Sequence, residues 1–346
     1  MSTRVRFKRY LALASALTLS LGLAACGNDD KAQEGGSTEL TTVKVAVSGK
    51  IAYYLPYLME PYWGEFKKQG IKIEMEYGAA PDMLVLLTQG KVDAMVTGPS
   101  ANILNAAAQN VDLKLVAPGG IEPDDSPNGW YVSKKALGDK EYEPSMLKGK
   151  TLSSSSGVAG PPLLTLSQEL AKANLTLADV KIKPLSSADG LVAIENGAVF
   201  GGTVSAPNTT KIQKSGAGIF ITRSAPKGWP SVGVYFGPNL LKKDPQTGER
   251  FVTALLNIYR TYMQGDYMRG EWADEFAKVL ETDLENVTSA PSATYPTELT
   301  FPERYFEQYE EAYRQIPGVL TFPEGQNVSE NLIERRFAEY ANQHAN

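Results

Sequence analysis

The sequence predicts an α/β fold of two lobes followed by a helical extension, and three observations carry that expectation. Short β-branched runs alternate with helical stretches from Val43 onward, a pattern that argues a mostly parallel sheet. The alternation comes in two blocks, separated by the Pro/Asp/Gly-rich stretch 122–129, and the blocks look like two copies of one architecture. After Pro238 the character turns helical, with no convincing strand. The length of 346 residues accommodates about two domains at the usual ~100–200 residues each. Hydrophobic residues at 42% and charged residues at 21% fit a chain that folds around a real core.

In the first block a strand is expected over 43–47, a helix over 54–69 closed by Gly70, a strand over 71–75 and a helix over 81–89 closed by Gly90. A strand over 94–96, a helix over 101–109 with Ser100 as its N-cap, and a strand over 113–116 complete the block. The second block reads as strand 151–153, helix 161–172 opened by prolines, strand 180–184, helix 188–196, strand 199–204, short helix 208–213 and strand 218–222. Helices over 249–263, 271–280, 303–315 and 330–342 make the extension. Tyr305, Phe306, Tyr309 and Tyr313 fall near one face of the third of these and are expected to dock on the first lobe. The chain thus runs from lobe 1 (43–125) into lobe 2 (126–235) and returns to wrap lobe 1 (236–346). No repeat of 20–50 residues points to a solenoid or propeller.

Residues 1–25 have the layout of a secretory signal: a basic start with Arg4, Arg6, Lys8 and Arg9, an apolar run, then small residues. The run is shorter than the ~20 residues a spanning helix requires. Leu23-Ala24-Ala25-Cys26 resembles the bacterial lipobox, which implies cleavage before Cys26, lipidation of its thiol, and a body held at a membrane in the periplasm or at the cell surface. Residues 26–42 are polar and free of aromatics, which is the composition of a flexible tether.

Several function classes are excluded or disfavoured. The formal charge of −5 grows more negative once the basic leader is removed, which argues against nucleic acid as a partner. A single cysteine, Cys26, rules out an intrachain disulfide, and a single histidine, His344, removes most metal-site and catalytic-triad chemistry. Gly149-Lys150-Thr151 imitates the end of a phosphate-binding loop, but Pro144 stands where the opening glycine is required. Ser155 lacks the flanking glycine of a nucleophile elbow, position 153 being serine. Asp124 and Asp125 read as a solvated loop. No cofactor and no metal are expected.

What recurs is a loop of small and polar residues after each strand, where a helix begins. Lobe 1 offers Ser48 and Gly49, then Ala80 and Asp82, then Thr97, Gly98 and Ser100. Lobe 2 offers Ser154, Ser155, Ser156 and Gly157, then Ser187, then Ser205 and Asn208. Such loops let a ligand approach helix-start N–H groups, where the dipole favours anions, and ligands in α/β sheets sit beyond the carboxyl ends of strands. Each helix start contributes only ~0.3–1 kcal/mol, up to ~2 when partly buried, whereas micromolar affinity needs ~8 kcal/mol. Aromatic walls must add contact, and Tyr53, Tyr54, Trp130 and Trp229 are the candidates beside the loops and crossings.

The segment from Gly78 through Gly90-Lys91-Val92-Asp93 to Thr97-Gly98-Pro99-Ser100, with Leu147-Lys148-Gly149-Lys150-Thr151 and Ser154 to Gly157, resembles the periplasmic solute-binding proteins of the aliphatic-sulfonate, taurine, nitrate and thiamine-pyrimidine group. The resemblance runs in order from about Val43 to Val234. It implies a type II clamshell, the two-lobed periplasmic-binding-protein fold, which closes on a small organic solute and presents it to an ABC permease and its ATPase without catalysing a reaction. A monomer is expected. The loops hold no obvious cationic side chain, which leans toward a zwitterion, sulfonate or neutral heterocycle over a phosphate. Two alternatives stay open: an enzyme of cofactor-precursor metabolism on the same scaffold, with Asp82 as its readiest acid, and a ligand-sensing lipoprotein acting through a partner.

Overall fold

The structure is a computed structural model that describes residues 39–206 and 208–346; the expected signal segment, Cys26 and Pro207 lie outside the described residues. Ten strands are described: β1 (Thr41–Val47), β2 (Ile71–Tyr77), β3 (Ala94–Thr97), β4 (Lys114–Pro118), β5 (Gly129–Ser133), β6 (Thr151–Ser154), β7 (Lys181–Pro184), β8 (Gly201–Val204), β9 (Gly218–Arg223) and β10 (Gly233–Phe236). They form two five-stranded sheets, ordered β2-β1-β3-β10-β4 and β7-β6-β8-β5-β9. Matching β6, β7, β8, β5 and β9 to β1, β2, β3, β10 and β4 makes the two orders identical. The chain therefore folds twice into one architecture, as the two sequence blocks suggest.

Both sheets are mostly parallel, as expected, but each is made mixed by one antiparallel strand, and the cause is the same in each. β10 runs antiparallel to β3 and β4, and β5 runs antiparallel to β8 and β9. Each is the first strand after the chain crosses between lobes, so it enters its sheet from the crossing side. Neither strand is expected from the sequence, because both are short, buried along their whole length and lack alternation. β1 starts at Thr41, ahead of the expected Val43, because Thr41 and Thr42 pair with Ile71 and Lys72.

The helix expected over 54–69 is three short helices, Leu55–Leu58, Glu60–Trp63 and Glu65–Lys68. Pro61 removes a donor, and Gly64 turns the chain at φ +63°. The last expected helix starts at Arg336; ahead of it Ile333 bridges to Leu115, continuing the first sheet's edge. Helix Pro245–Tyr262 opens with Pro245 in its first turn and the Asp244 carboxylate accepting from Thr247 N at 3.1 Å. It buries Phe251, Leu255, Leu256 and Ile258 completely against the first sheet, each contributing about 1.5–3 kcal/mol of transfer free energy.

The two crossing segments pair with each other to form the hinge. Gly119 N donates to Val232 O and Ser231 N to Gly120 O, both at 2.9 Å. On its other side Ile121 exchanges two 2.8 Å hydrogen bonds with Thr294. Helix Tyr305–Arg314 backs this hinge. Its tyrosines do not dock on the first lobe alone: Tyr313 donates to Pro99 O (3.1 Å) in lobe 1, and Tyr305 donates to Pro230 O (2.9 Å) in the crossing. The same helix packs on helix Pro162–Ala171 of lobe 2, and Gln315 beyond its end accepts from Leu177 N at 3.0 Å. Four aromatic side chains, at positions 305, 306, 309 and 313, lie in a single apolar cluster that reaches from Leu104 in lobe 1 to Leu166 in lobe 2.

Candidate functional site

The loops at the carboxyl ends of the strands meet beside the hinge. Gly98, after β3, lies so near Pro161, after β6, that a Cβ built on it would stand 2.9 Å from Pro161 Cγ and 2.9 Å from the carbonyl oxygen of Ser231. This is the point where the two rims touch, and only a residue without a side chain fits it. Tyr53 reaches the same corner from the loop after β1, its hydroxyl 3.4 Å from Ser231 Oγ, and stays partly exposed. Gly120 lets this ring approach the hinge: a Cβ there would lie 3.0 Å from both the Tyr53 and Tyr295 rings.

Below this corner sits Glu122, 6% exposed. One carboxylate oxygen accepts from Asn128 Nδ2 at 2.9 Å and the other from Ser224 Oγ at 3.0 Å. Burial, and then the nearby Glu122 carboxylate, hold the Tyr53 hydroxyl well above the ordinary tyrosine range. Asn128 links the hinge to the lobe 2 loops by accepting from Ala206 N at 2.9 Å. Arg223 braces the turn, its two terminal nitrogens donating to the main-chain carbonyls of Glu122, Pro123 and Asp124.

The other predicted positions are placed as follows. Ser48 and Tyr54 share a hydrogen bond of 3.0 Å next to Gly49; Tyr54 is buried, and burial raises its hydroxyl above its ordinary value. Ala80 and the exposed Asp82 open helix Ala80–Thr88, and Thr97 precedes Gly98 on the rim. Ser100 is the N-cap expected for helix Ala101–Ala107, accepting from Ile103 N at 3.4 Å. In lobe 2, Ser154 is buried with its hydroxyl 3.3 Å from that of the exposed Ser156, Ser155 is exposed, and Gly157 turns at φ +59°. Ser187 accepts from Asn208 Nδ2 at 3.0 Å, and Asn208 N donates to Ser205 O at 2.9 Å, so these three form one cluster.

Helix starts contribute fewer open amides than the loop pattern suggests. Ser100 and Ser186 cap their own helices. The helix after the serine loop opens with Pro161 and Pro162, which have no N–H, and Leu163 N and Leu164 N donate to Gly160 O and Pro161 O. Of the aromatic candidates, Trp130 is fully buried with Nε1 donating to Pro162 O at 2.9 Å, so it is core and not cleft wall. Trp229 is partly exposed on the crossing, with ring centroids 5.3 Å from Tyr305 and 5.9 Å from Tyr309.

Glu122, Asn128, Ser224 and Ser231 are absent from the sequence-based site. Their one local signal is that Glu122 follows the Gly119-Gly120-Ile121 crossing. None of the predicted site residues lines the cavities of about 630 Å³ beside Trp63 and about 600 Å³ beside Tyr131; the second borders the turn braced by Arg223. Among the described residues no group of three His, Cys, Asp or Glu is placed to hold a metal, and His344 stacks on Tyr340 near the C-terminus.

No family model and no curated protein matches the chain. Solved structures do. The alkanesulfonate-binding protein SsuA from Xanthomonas axonopodis superposes with a TM-score of 0.62 at 17% identity, over 86% of this chain and 99% of that one. The periplasmic nitrate-binding protein NrtA from Synechocystis gives 0.60 at 10% identity, over 88% and 89%. A cysteine-to-serine mutant of DszB in complex with biphenyl-2-sulfinic acid gives 0.57 at 12% identity, over 88% and 100%. The fold is that of the periplasmic binding proteins: two lobes, a hinge of paired crossing segments, and a helical C-terminal extension.

Proposed function

We propose that the chain is the substrate-binding component of an ABC importer, capturing a small organic solute of sulfonate-, nitrate- or thiamine-pyrimidine-like kind between its lobes and delivering it to a membrane permease and its ATPase. The observation that carries the proposal is the meeting of strand-end loops from two equivalent lobes at Gly98 and Pro161, directly over a paired hinge. A solute that contacts both rims binds the closed arrangement better than the open one, and that differential affinity drives closure. The proposed contacts come from Ser48, Gly49, Tyr53, Tyr54, Ala80, Asp82, Thr97, Gly98 and Ser100 on lobe 1. Ser154, Ser155, Ser156, Gly157, Ser187, Ser205 and Asn208 serve on lobe 2. Lobe 1 comprises residues 43–125 and 236–346, and lobe 2 residues 126–235.

The proposal extends to the N-terminus: residues 1–25 are removed, Cys26 is lipidated, and residues 26–42 tether a monomeric body to a membrane in the periplasm or at the cell surface. The cleft binds and releases its solute unchanged.

The test is a thermal-shift panel of sulfonates, nitrate, pyrimidines, flavins and aromatic acids, with each mixture analysed afterwards for conversion. At a hundredfold excess over Kd, binding stabilises the folded state by about 2.7 kcal/mol, a rise in Tm of about 5 °C for a chain of this size. At least one compound is expected to produce that rise and to be recovered intact. A panel with no rise rejects solute capture, and a recovered product replaces it with the enzyme reading.

A further inference from the structure

We propose that the outer edge of β9 is a docking site for an extended segment of a partner protein, which adds to the five-stranded sheet as a further antiparallel strand and ends in an acidic residue. The proposal goes beyond solute capture and does not depend on it. Two separate observations meet at this edge: an open, uncharged strand and a cavity beside it.

The four outer edges of the two sheets are not alike. β2 carries Lys72, Glu74 and Glu76, and β7 reads Lys181-Ile182-Lys183-Pro184; charge and proline along an edge discourage a further strand. β4 is covered, with Leu115 N donating to Leu332 O at 2.8 Å and Glu334 N donating to Leu115 O at 2.9 Å. β9 has neither protection. It reads Gly218-Ile219-Phe220-Ile221-Thr222-Arg223, uncharged up to its last residue, and none of its residues is fully buried. Among the described residues only β5 hydrogen-bonds to its main chain. The alternating N–H and C=O groups left on the outer side are matched by another strand, whose main chain supplies affinity while pockets for alternate side chains supply specificity.

Such a pocket adjoins the edge. Phe220, 43% exposed, meets the buried Tyr131 edge to face at 5.4 Å, and both wall the cavity of about 600 Å³. Successive side chains of an added strand point to opposite faces, so every second one falls on the cavity's side of the sheet. At the Arg223 end of this cavity the charges offset one another: Lys227 pairs with Asp124, and Arg223 turns onto main-chain carbonyls beside Asp125. At the Gly218 end stands the exposed Lys134, its Nζ beside Gly216 and, among the described residues, without an ion pair. A strand antiparallel to β9 starts at the Arg223 end and finishes beside Lys134, which places the acidic residue last.

The test is fluorescence anisotropy of two labelled, end-blocked heptapeptides, Thr-Thr-Val-Thr-Val-Thr-Glu and Glu-Thr-Val-Thr-Val-Thr-Thr, titrated with the purified protein up to about 1 mM, which reaches Kd values of that order. The first peptide is expected to bind about threefold to fivefold tighter than the second, the scale of one exposed ion pair. Lys134→Glu is expected to reverse that order. Phe220→Lys, which gives β9 the charge that β2 and β7 carry, is expected to weaken both peptides at least roughly tenfold. Both substitutions fall at exposed positions. Silence from both peptides, equal affinities, a preference for the second, or binding that survives Phe220→Lys overturns the proposal and leaves solute capture standing. Sedimentation of the protein alone at the same concentration is expected to show a monomer; self-association that Phe220→Lys abolishes would assign the edge to a second copy of the chain and overturn the proposal as well.

Discussion

The Gly98→Leu substitution is expected to lower solute affinity about 100-fold while leaving both lobes folded. At this position the constraint is space: even the first carbon of a side chain would stand 2.9 Å from Pro161 Cγ across the cleft and 2.9 Å from Ser231 O in the hinge. Leucine adds three further carbons and holds the rims apart, so the closed state loses about 2.7 kcal/mol relative to the open one, the equivalent of two decades in Kd. Opening the cleft relieves the contact with Pro161, which is why unliganded stability should fall much less. Titration with a compound that stabilises the parent protein gives the affinity, and thermal unfolding without ligand reports the fold. Affinity within threefold of the parent, in a folded variant, would show that the rims do not close together on the solute.

Trp130→Ala is expected to cost about 3–5 kcal/mol of stability, the range for emptying a large core site. Trp130 is fully buried in β5, among strands that hold lobe 2 together, and its Nε1 donates to Pro162 O at the start of the helix facing the cleft. The milder Trp130→Phe keeps most of the ring but loses the Nε1 hydrogen bond to that carbonyl, which Thr165 Oγ1 still donates to at 2.9 Å, for about 1 kcal/mol or less. Denaturant unfolding monitored for each variant separates the two costs. If Trp130→Ala instead unfolds like the parent and only loses ligand, the side chain belongs to the cleft wall after all.

These two residues also mark how far local sequence reaches. Two lobes follow from alternation, and Gly98 belongs to a recognisable strand-end loop; both depend on neighbours in sequence. Trp130 beside a Pro/Gly-rich crossing looks like a cleft residue, yet β5 is a short apolar run with no alternation, and its depth is set by β8 and β9 on either side. The helical face of Tyr305, Tyr309 and Tyr313 is periodic enough to find, but which lobe it covers depends on Pro99, Pro230 and the helix at Pro162–Ala171. Glu122 is the sharpest case. Only its place after Gly119-Gly120-Ile121 separates it locally from the exposed Asp124 and Asp125, because its burial is created by residues 224 and 230–232, about a hundred positions away.

Closure over a solute is tested most directly by the distance between the lobes. Val85 in helix Ala80–Thr88 and Val192 in helix Ser187–Asn196 are 51% and 57% exposed, so spin labels on Val85→Cys and Val192→Cys, in a Cys26→Ser background, disturb little packing. Saturation with a compound that stabilises the protein is predicted to shorten and narrow the label-to-label distribution. The same distribution with and without bound solute would contradict a clamshell that closes on its ligand.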